Sequence, residues 1–585
     1  MQSTIKLTFM FAGAGLALML AQPMAIAQTS ETLRIQREAY DGVRAKSVLE
    51  LQLFRTTQTA HDKTSSHHLT WISTNPAVGA WYVLELRTEP EGKAESFHIE
   101  NPSPSRRTIR FDAGPAPAIE IITGSGTELC KPWDSNAQAL TTARKAGLAY
   151  APLCGGKLFL RNRVTGARTN IEATTDFLRD NVWGGESIVR FVRDTFFKDS
   201  EIETSETVGA GNIGATPNGP PPMLGKVPAG EQRVISTLLT LGIAGTDPSQ
   251  MTIGQWYPIS GLEGVFASTF QPRAISDEIL QSGGANRLDG VEAKATGYMT
   301  AFDLGLFDIG YAVGTDHPAL GWSSRPPASV RPRGMPGPDG IKTAEPLVML
   351  GMVNPEIASN AIATFTAGFK RQHGAFKFGD MATFNSGHHY GFIEKGVILS
   401  KLQPGLSTLY GLTDGTINMK TWTEDDNALL PKIRFARQNG VPLVETDSIT
   451  GQTGPGDRVT KWGAGNWSGS AKAELRTLRA GGCMVRAAGR DYLLYGYFST
   501  ATPSAMARVF QGYGCRYAML LDMNALEHTY LALYAQRDGK VHVEHLLPGM
   551  SLIEKKARDG TIIPRFIGFA DNRDLFYLTR KEPTK

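Results

Sequence analysis

Long apolar runs are nearly absent from this 585-residue chain. After the stretch from Leu7 to Leu20, no segment reaches the roughly 18 uninterrupted apolar residues that a membrane-spanning helix requires, so no transmembrane segment is expected in the mature chain. A charge excess of either sign is also missing: 60 Lys and Arg face 56 Asp and Glu. That balance argues against a basic nucleic-acid stripe and leaves small molecules or glycans as the expected partners. Cysteine is scarce, with four residues and no CxxC pair, so neither a redox dithiol nor a zinc ribbon is expected. HExxH, GxSxG and Walker signatures are absent, which sets aside the chemistries those motifs carry. No repeat of about 20–50 residues points to a solenoid.

The amino-terminal residues read as an export signal. Lys6 supplies the positive start, the apolar run follows, and Ala25-Ile26-Ala27 ends it in a small-x-small pattern. The expectation is a signal peptide over 1–27, with the mature chain starting at Gln28 and ending up periplasmic or secreted. Disulfides form in such compartments. The spacing suggests Cys130 with Cys154 and Cys483 with Cys515, although three pairings of four cysteines are open.

Glycine is abundant, 63 residues, which indicates many tight turns and a β-rich chain. The predicted fold class is α+β, with a β-rich N-terminal domain over 28–204. Residues 205–231, rich in Gly and Pro and without periodicity, read as a linker or exposed loop. A connecting β-region follows over 232–296, and a mixed α/β domain over 297–585. Alternating segments such as Ala80 to Leu86 predict strands. Thr174 to Phe197 reads as helical on both sides of a Gly-Gly break. Residues 298–314 read as two strands joined at Leu304-Gly305. Between strands near Tyr492 and Ala518, Thr502 is placed to cap a helix whose first turn holds Pro503 and which Gly512 and Gly514 stop. That sequence predicts a strand, helix, strand crossover.

Three constellations carry candidate chemistry. The first is Asn385-Ser386-Gly387-His388-His389, approached through Phe369-Lys370-Arg371: Asn385 is an amide donor, and either His388 or His389 is an acid, a base or a metal ligand, with a β-turn that packs one histidine and exposes the other as the plain alternative. The second follows the apolar strand ending at Asp522, where Asn524, Glu527 and His528 bring amide, acid and imidazole within one short reach; capping of a turn by Asp522 is the plain alternative. The third is a glycine-rich loop bearing Trp462 and Trp467, suited to stacking on a sugar ring or to anchoring a core, followed by Arg476 and Arg479, which suit anion binding.

Taken in order, Asn385-Ser386-Gly387, the segment Tyr390 to Val397, Pro404-Gly405-Leu406-Ser407-Thr408, Arg437 to Val444, Arg479-Ala480-Gly481 and Leu521-Asp522 resemble the phosphodiester glycosidase family. Lysosomal members of that family remove the covering N-acetylglucosamine from mannose 6-phosphate. The resemblance covers roughly residues 297 to 585. It departs from the family pattern at Ser386 and at Met523-Asn524-Ala525, which stand where glycines let a backbone approach a phosphate closely.

The resemblance implies an exported hydrolase acting on a sugar-phosphate diester or another glycosidic linkage of a cell-envelope or extracellular glycan. His388, His389, Glu527 and His528 are not part of the family pattern, and the roles assigned here rest on chain order: Asp522 serves as base or orients water or an imidazole, His528 or His388 protonates the leaving oxygen, and Asn385, Gly387, Arg479, Asn524 and Trp467 hold a carbohydrate or sugar-phosphate ligand. No organic cofactor is required; a divalent ion held by Asp522 and a histidine is the alternative. A noncatalytic glycan-binding envelope protein and a histidine-dependent metallohydrolase are the rival readings.

Overall fold

The computed structural model describes residues 45–182, 189, 200–216, 219–220, 232–317, 341–370, 390–460 and 475–581. Its described part is strand-rich, with antiparallel sheets and few helices, the β-rich α+β class expected. No helix among the described residues is long and apolar enough to cross a membrane.

The first half builds a six-stranded antiparallel sheet with Thr56–Asp62, His67–Ser73, Trp81–Arg87 and Glu95–Glu100 adjacent in chain order. Leu158–Arg161 and Tyr150–Leu153 complete it. A three-stranded sheet of Arg107–Asp112, Ala118–Thr123 and Gly126–Cys130 and a helix over Asp134–Lys145 share one apolar core with it. Trp133 is fully buried and its indole N–H reaches Asp62 Oδ2 at 2.8 Å, which satisfies the donor that burial would otherwise strand. Cys130 is bonded to Cys154, and Cys483 to Cys515, so the pairing suggested by spacing is the one formed.

The second core draws on Ala45, Val48, Leu51 and Trp81 and on residues from Ile235 to Leu578. An eight-stranded sheet runs through it. Its central strands are Val265–Phe270, Gly297–Asp303, Arg490–Ala501, Thr477–Ala487 and Tyr517–Met523, in that spatial order. The segment 232–296 therefore supplies strands to the same sheet as the later sequence. In the stretch read as a linker, Thr207–Ala210 pairs with Arg233–Ser236 and keeps all four of its residues exposed.

The expected crossover is present. Arg490–Ala501 and Tyr517–Met523 both lie antiparallel to Thr477–Ala487, one on each side, and are thus parallel to each other. Pro503–Gly512 joins them, with Thr502 Oγ1 accepting from the Ala505 N–H at 3.1 Å. A Cβ on Gly481 would fall 2.9 Å from the Met506 and Phe510 side chains, so the bare glycine lets this helix lie flat on the sheet.

Two five-stranded sheets pack beside the eight-stranded one. In one, Leu575–Arg580 is inserted between Phe307–Ala312 and Ala361–Thr366; in the other, Ile433–Gln438 lies between Phe392–Glu394 and Ser407–Leu412. The two strands predicted over 298–314 exist but separate into different sheets. Ring contacts of Phe576 with Phe435 and Phe365, and of Phe365 with Tyr495, form an aromatic seam joining all three sheets.

The two cores are also joined by charge. Arg161 is 2% exposed, pairs with Glu100 and, at 2.8 Å, with Glu394, and lies 3.8 Å from the centre of the Trp81 ring. Of the helical stretch expected from Thr174 to Phe197, the part before the Gly-Gly break is helical, and the part beyond it lies, apart from residue 189, outside the described residues. The helix starts earlier, at Asn170, and spans Asn170–Asn181, because Thr169 supplies the N-cap and accepts from the Glu172 N–H at 3.1 Å.

Candidate active site

The buried strand Tyr517–Met523 delivers Asp522 to its end, where the carboxylate is 4% exposed. Oδ1 accepts from the Met523 N–H at 2.9 Å, and Oδ2 pairs with Arg573 Nη1. The other terminal nitrogen of Arg573 donates to Glu172 Oε1 at 2.9 Å and to His528 Nε2 at 2.7 Å. Asp522, Glu172 and His528 thus meet on one guanidinium.

The tautomer of His528 follows from its partners. A carbonyl only accepts and a guanidinium only donates. His528 Nδ1 lies 3.0 Å from Met523 O, so the proton sits on Nδ1 and the lone pair on Nε2 faces Arg573. Burial, reinforced by the Arg573 charge, lowers the pKa of this imidazole. It is therefore neutral near pH 7 and acts as an acceptor. The expectation that His528 protonates a leaving oxygen does not fit this arrangement, because the nitrogen facing the cluster carries no proton.

Glu172 reaches the cluster from the first turn of the Asn170–Asn181 helix. Its Oε1 collects Lys370 Nζ at 2.9 Å and Asn572 Nδ2 at 3.1 Å in addition to Arg573. Burial works to raise its pKa, but Arg573 and Lys370 outweigh burial and hold the carboxyl far below its usual range. Asp176, one helical turn later, meets the same ammonium at 3.2 Å, and Asp316 meets it at 3.1 Å. Burial would strip the proton from Lys370, which is 1% exposed; the surrounding carboxylates reverse that and raise its pKa.

Further buried pairs brace Arg573 and its neighbours. Arg565 binds both oxygens of Asp571 at 2.8 and 2.9 Å, and Asp571 Oδ1 also accepts the Arg573 N–H at 2.9 Å. Asp574 accepts from Arg437 Nε at 2.8 Å and the Tyr311 hydroxyl at 2.7 Å. Arg437 Nη2 in turn donates to Phe369 O at 2.6 Å, while Asn439 accepts the Phe369 N–H at 3.2 Å. Phe369 and Tyr390 rings lie 6.1 Å apart. Both roots of the 371–389 stretch are consequently anchored against this cluster.

Asp522 and His528 are brought together as anticipated from their chain proximity. Arg479 is not joined to them: it is fully buried opposite Met523, donating to Ala501 O at 2.9 Å, Leu475 O at 3.1 Å and Met523 Sδ at 3.5 Å. Strand alternation puts Asp522, the neighbour of Met523, on the other face. Asn524 is an exposed turn residue with φ +80°, its N–H donating to Leu478 O and its Oδ1 accepting from Thr477 Oγ1. Asn385, Gly387, His388 and Trp467 lie outside the described residues.

Among the described residues no group of three or more His, Cys, Asp or Glu is arranged to hold a metal ion. Where an ion shared by Asp522 and His528 would sit, Arg573 donates to both. Glu172, Asn572 and Arg573 were not singled out from sequence, and Lys370 was named only in the approach to the Asn385 loop. Their signals are Glu172 and Asp176 four apart behind a capping threonine, and the polar run Asp571-Asn572-Arg573-Asp574 at the mouth of an apolar strand.

No protein-family model matches the chain, and no curated protein sequence matches it. Among solved structures, the catalytic domain of zebrafish N-acetylglucosamine-1-phosphodiester alpha-N-acetylglucosaminidase, auto-inhibited by its pro-peptide, is similar over 55% of this chain and 86% of its own, at 11% identity and a TM-score of 0.28. A protein of Burkholderia pseudomallei K96243 named as exported aligns over 90% of this chain and 96% of its own, at 11% identity and a TM-score of 0.15. The resemblance is distant.

Proposed function

We propose that the protein is an exported hydrolase acting on a sugar-phosphate diester or another glycosidic linkage of a cell-envelope or extracellular glycan, with its site at the Arg573 cluster. The observation that carries this reading is the convergence of Asp522, Glu172 and His528 on Arg573, with Lys370 alongside. Cations positioned in a dry site are suited to charge that builds on a phosphate or a leaving oxygen. In this scheme Arg573 and Lys370 hold the anionic group, and Asp522 keeps Arg573 oriented. Neutral His528, with its lone pair on Nε2, accepts the proton of the attacking water once Arg573 turns toward substrate. His388 is then assigned the acid role, and Asn385 and Gly387 the contacts to the sugar. Trp467 supplies a stacking face. The two disulfides suit an oxidising compartment, periplasmic or extracellular.

A noncatalytic glycan-binding reading is favoured by one observation: both oxygens of Asp522 are already engaged, by Met523 N–H and by Arg573. One experiment separates the two. The full chain lacking residues 1–27 is incubated with a panel of sugar-phosphate diesters and envelope glycans, beside Asp522→Asn and His388→Ala. The hydrolase reading expects turnover of at least one class, with kcat/KM reduced about 10²–10⁴-fold in each variant. Binding without turnover by the unsubstituted protein sinks it in favour of glycan binding.

A further inference from the structure

The oxygen Glu172 Oε1 receives three donors from separate parts of the chain: Arg573 Nη2 and Lys370 Nζ, each at 2.9 Å, and Asn572 Nδ2 at 3.1 Å. Two of the three are cationic, and all three residues are more than nine-tenths buried. Such a set matches the demands of an oxyanion better than those of a single carboxylate. One carboxylate oxygen offers two good lone-pair directions, and here it is shared among three donors.

Two further atoms are unsatisfied. Arg573 Nε and Asn572 Oδ1 are buried without a hydrogen-bond partner. A buried polar atom left without a partner is costly, so the coincidence of an unmet donor and an unmet acceptor in one cluster asks for a group that Glu172 does not supply. A phosphate has oxygens to spare for Arg573 Nε–H. Asn572 Oδ1, an acceptor, suits a hydroxyl beside that phosphate, either on a sugar or on a phosphate that retains a proton.

We infer that Lys370, Asn572 and Arg573 form a phosphate subsite that Glu172 occupies in cis, so that the Asn170–Asn181 helix is an internal competitor for the phosphate of the ligand. This rests on reading the cluster as the substrate site and adds a residue from the first half of the chain to it. Glu172 enters on a helix capped by Thr169, whose hydroxyl also donates to Glu527 Oε1 at 3.2 Å. Glu527 is one residue from His528, so withdrawal of Glu172 and rearrangement beside His528 are mechanically linked. Ligand phosphate displaces the Glu172 carboxylate from Lys370 and Arg573, and the helix moves or its side chain swings aside.

The test titrates the full chain with inorganic phosphate by calorimetry, with acetate as a second titrant. Removing the internal carboxylate with Glu172→Ala is expected to tighten phosphate binding at least tenfold over the unsubstituted protein, with acetate gaining less. Adding Lys370→Met to Glu172→Ala is expected to abolish that gain. If Glu172→Ala does not fold by circular dichroism, Glu172→Gln takes its place, with a gain of at least threefold expected. A folded Glu172 variant that binds phosphate no better than the parent overturns the inference. Equal gains for acetate and phosphate overturn the phosphate assignment in favour of a carboxylate ligand. Hydrolysis of the diester panel is read in parallel. Turnover without a phosphate gain removes this inference and leaves the hydrolase, whereas a phosphate gain without turnover removes the hydrolase and leaves the subsite.

Discussion

Replacing Arg161 by methionine removes the guanidinium that joins the two cores while keeping a flexible apolar side chain against Trp81. In the native protein Arg161 pairs with Glu100 and Glu394 and donates to Val348 O at 3.1 Å. Glu100 is also reached by Asn354 Nδ2 at 3.0 Å and Lys395 Nζ at 3.3 Å, and Glu394 by the Val313 N–H at 3.0 Å. The variant therefore leaves two fully buried carboxylates with one ammonium between them. Breaking a buried pair by deleting one partner costs about 3–5 kcal/mol. Burial already raises the Glu394 pKa despite Arg161, and its loss raises it further. An acid whose folded pKa exceeds its unfolded value binds its proton more readily when folded, so its stabilising effect is present at low pH and lost as pH rises. The deficit of Arg161→Met should thus be larger near pH 8 than near pH 5. Urea unfolding followed by tryptophan fluorescence measures both values. Neutralising the orphans in Arg161→Met/Glu100→Gln/Glu394→Gln should restore most of the loss. A deficit below about 1 kcal/mol near pH 8, or one that grows as pH falls, would refute the account.

Asp574→Asn should destabilise by about 3–5 kcal/mol, since it leaves Arg437 buried without its charge partner. Burial raises the Asp574 pKa, but His317 and Arg437 outweigh burial and lower it; its contribution is present above the unfolded value and fades as pH falls. The gap between parent and variant should accordingly narrow below about pH 4, read by calorimetric unfolding across pH. Replacing Cys130 and Cys154 by serine opens a loop of sequence separation 24 and should lower stability by about 3 kcal/mol; a chemical-denaturation curve unchanged from the parent would contradict that.

The parts of the fold legible in sequence are those set by near neighbours. Thr502, Pro503 and the glycines at 512 and 514 carry the whole instruction for one helix, and the helix is where they put it. Asp522 and His528 were legible as a pair because six residues cannot take them far apart. Arg479 was misplaced because its side-chain direction depends on which residue of a facing strand it meets, and here it meets Met523. The remaining members of the cluster come from positions 172, 370, 572 and 573, whose local signals mark each segment but not which distant segment it meets. The protonation of His528 was illegible for the same reason: Arg573, far along the chain, decides which nitrogen carries the proton.

The position of Leu575–Arg580 between Phe307–Ala312 and Ala361–Thr366 ties the birth of the site to the order of synthesis. Chains emerge N-terminus first, so Glu172 waits for some 400 further residues before Arg573 exists to receive it. Until residue 580 is released, Phe307–Ala312 lacks this partner, Ala361–Thr366 is paired on its other side only, with Leu531–Arg537, and the cluster lacks its hub. A chain that stops before Arg573 lacks the residue on which Glu172, Asp522 and His528 meet.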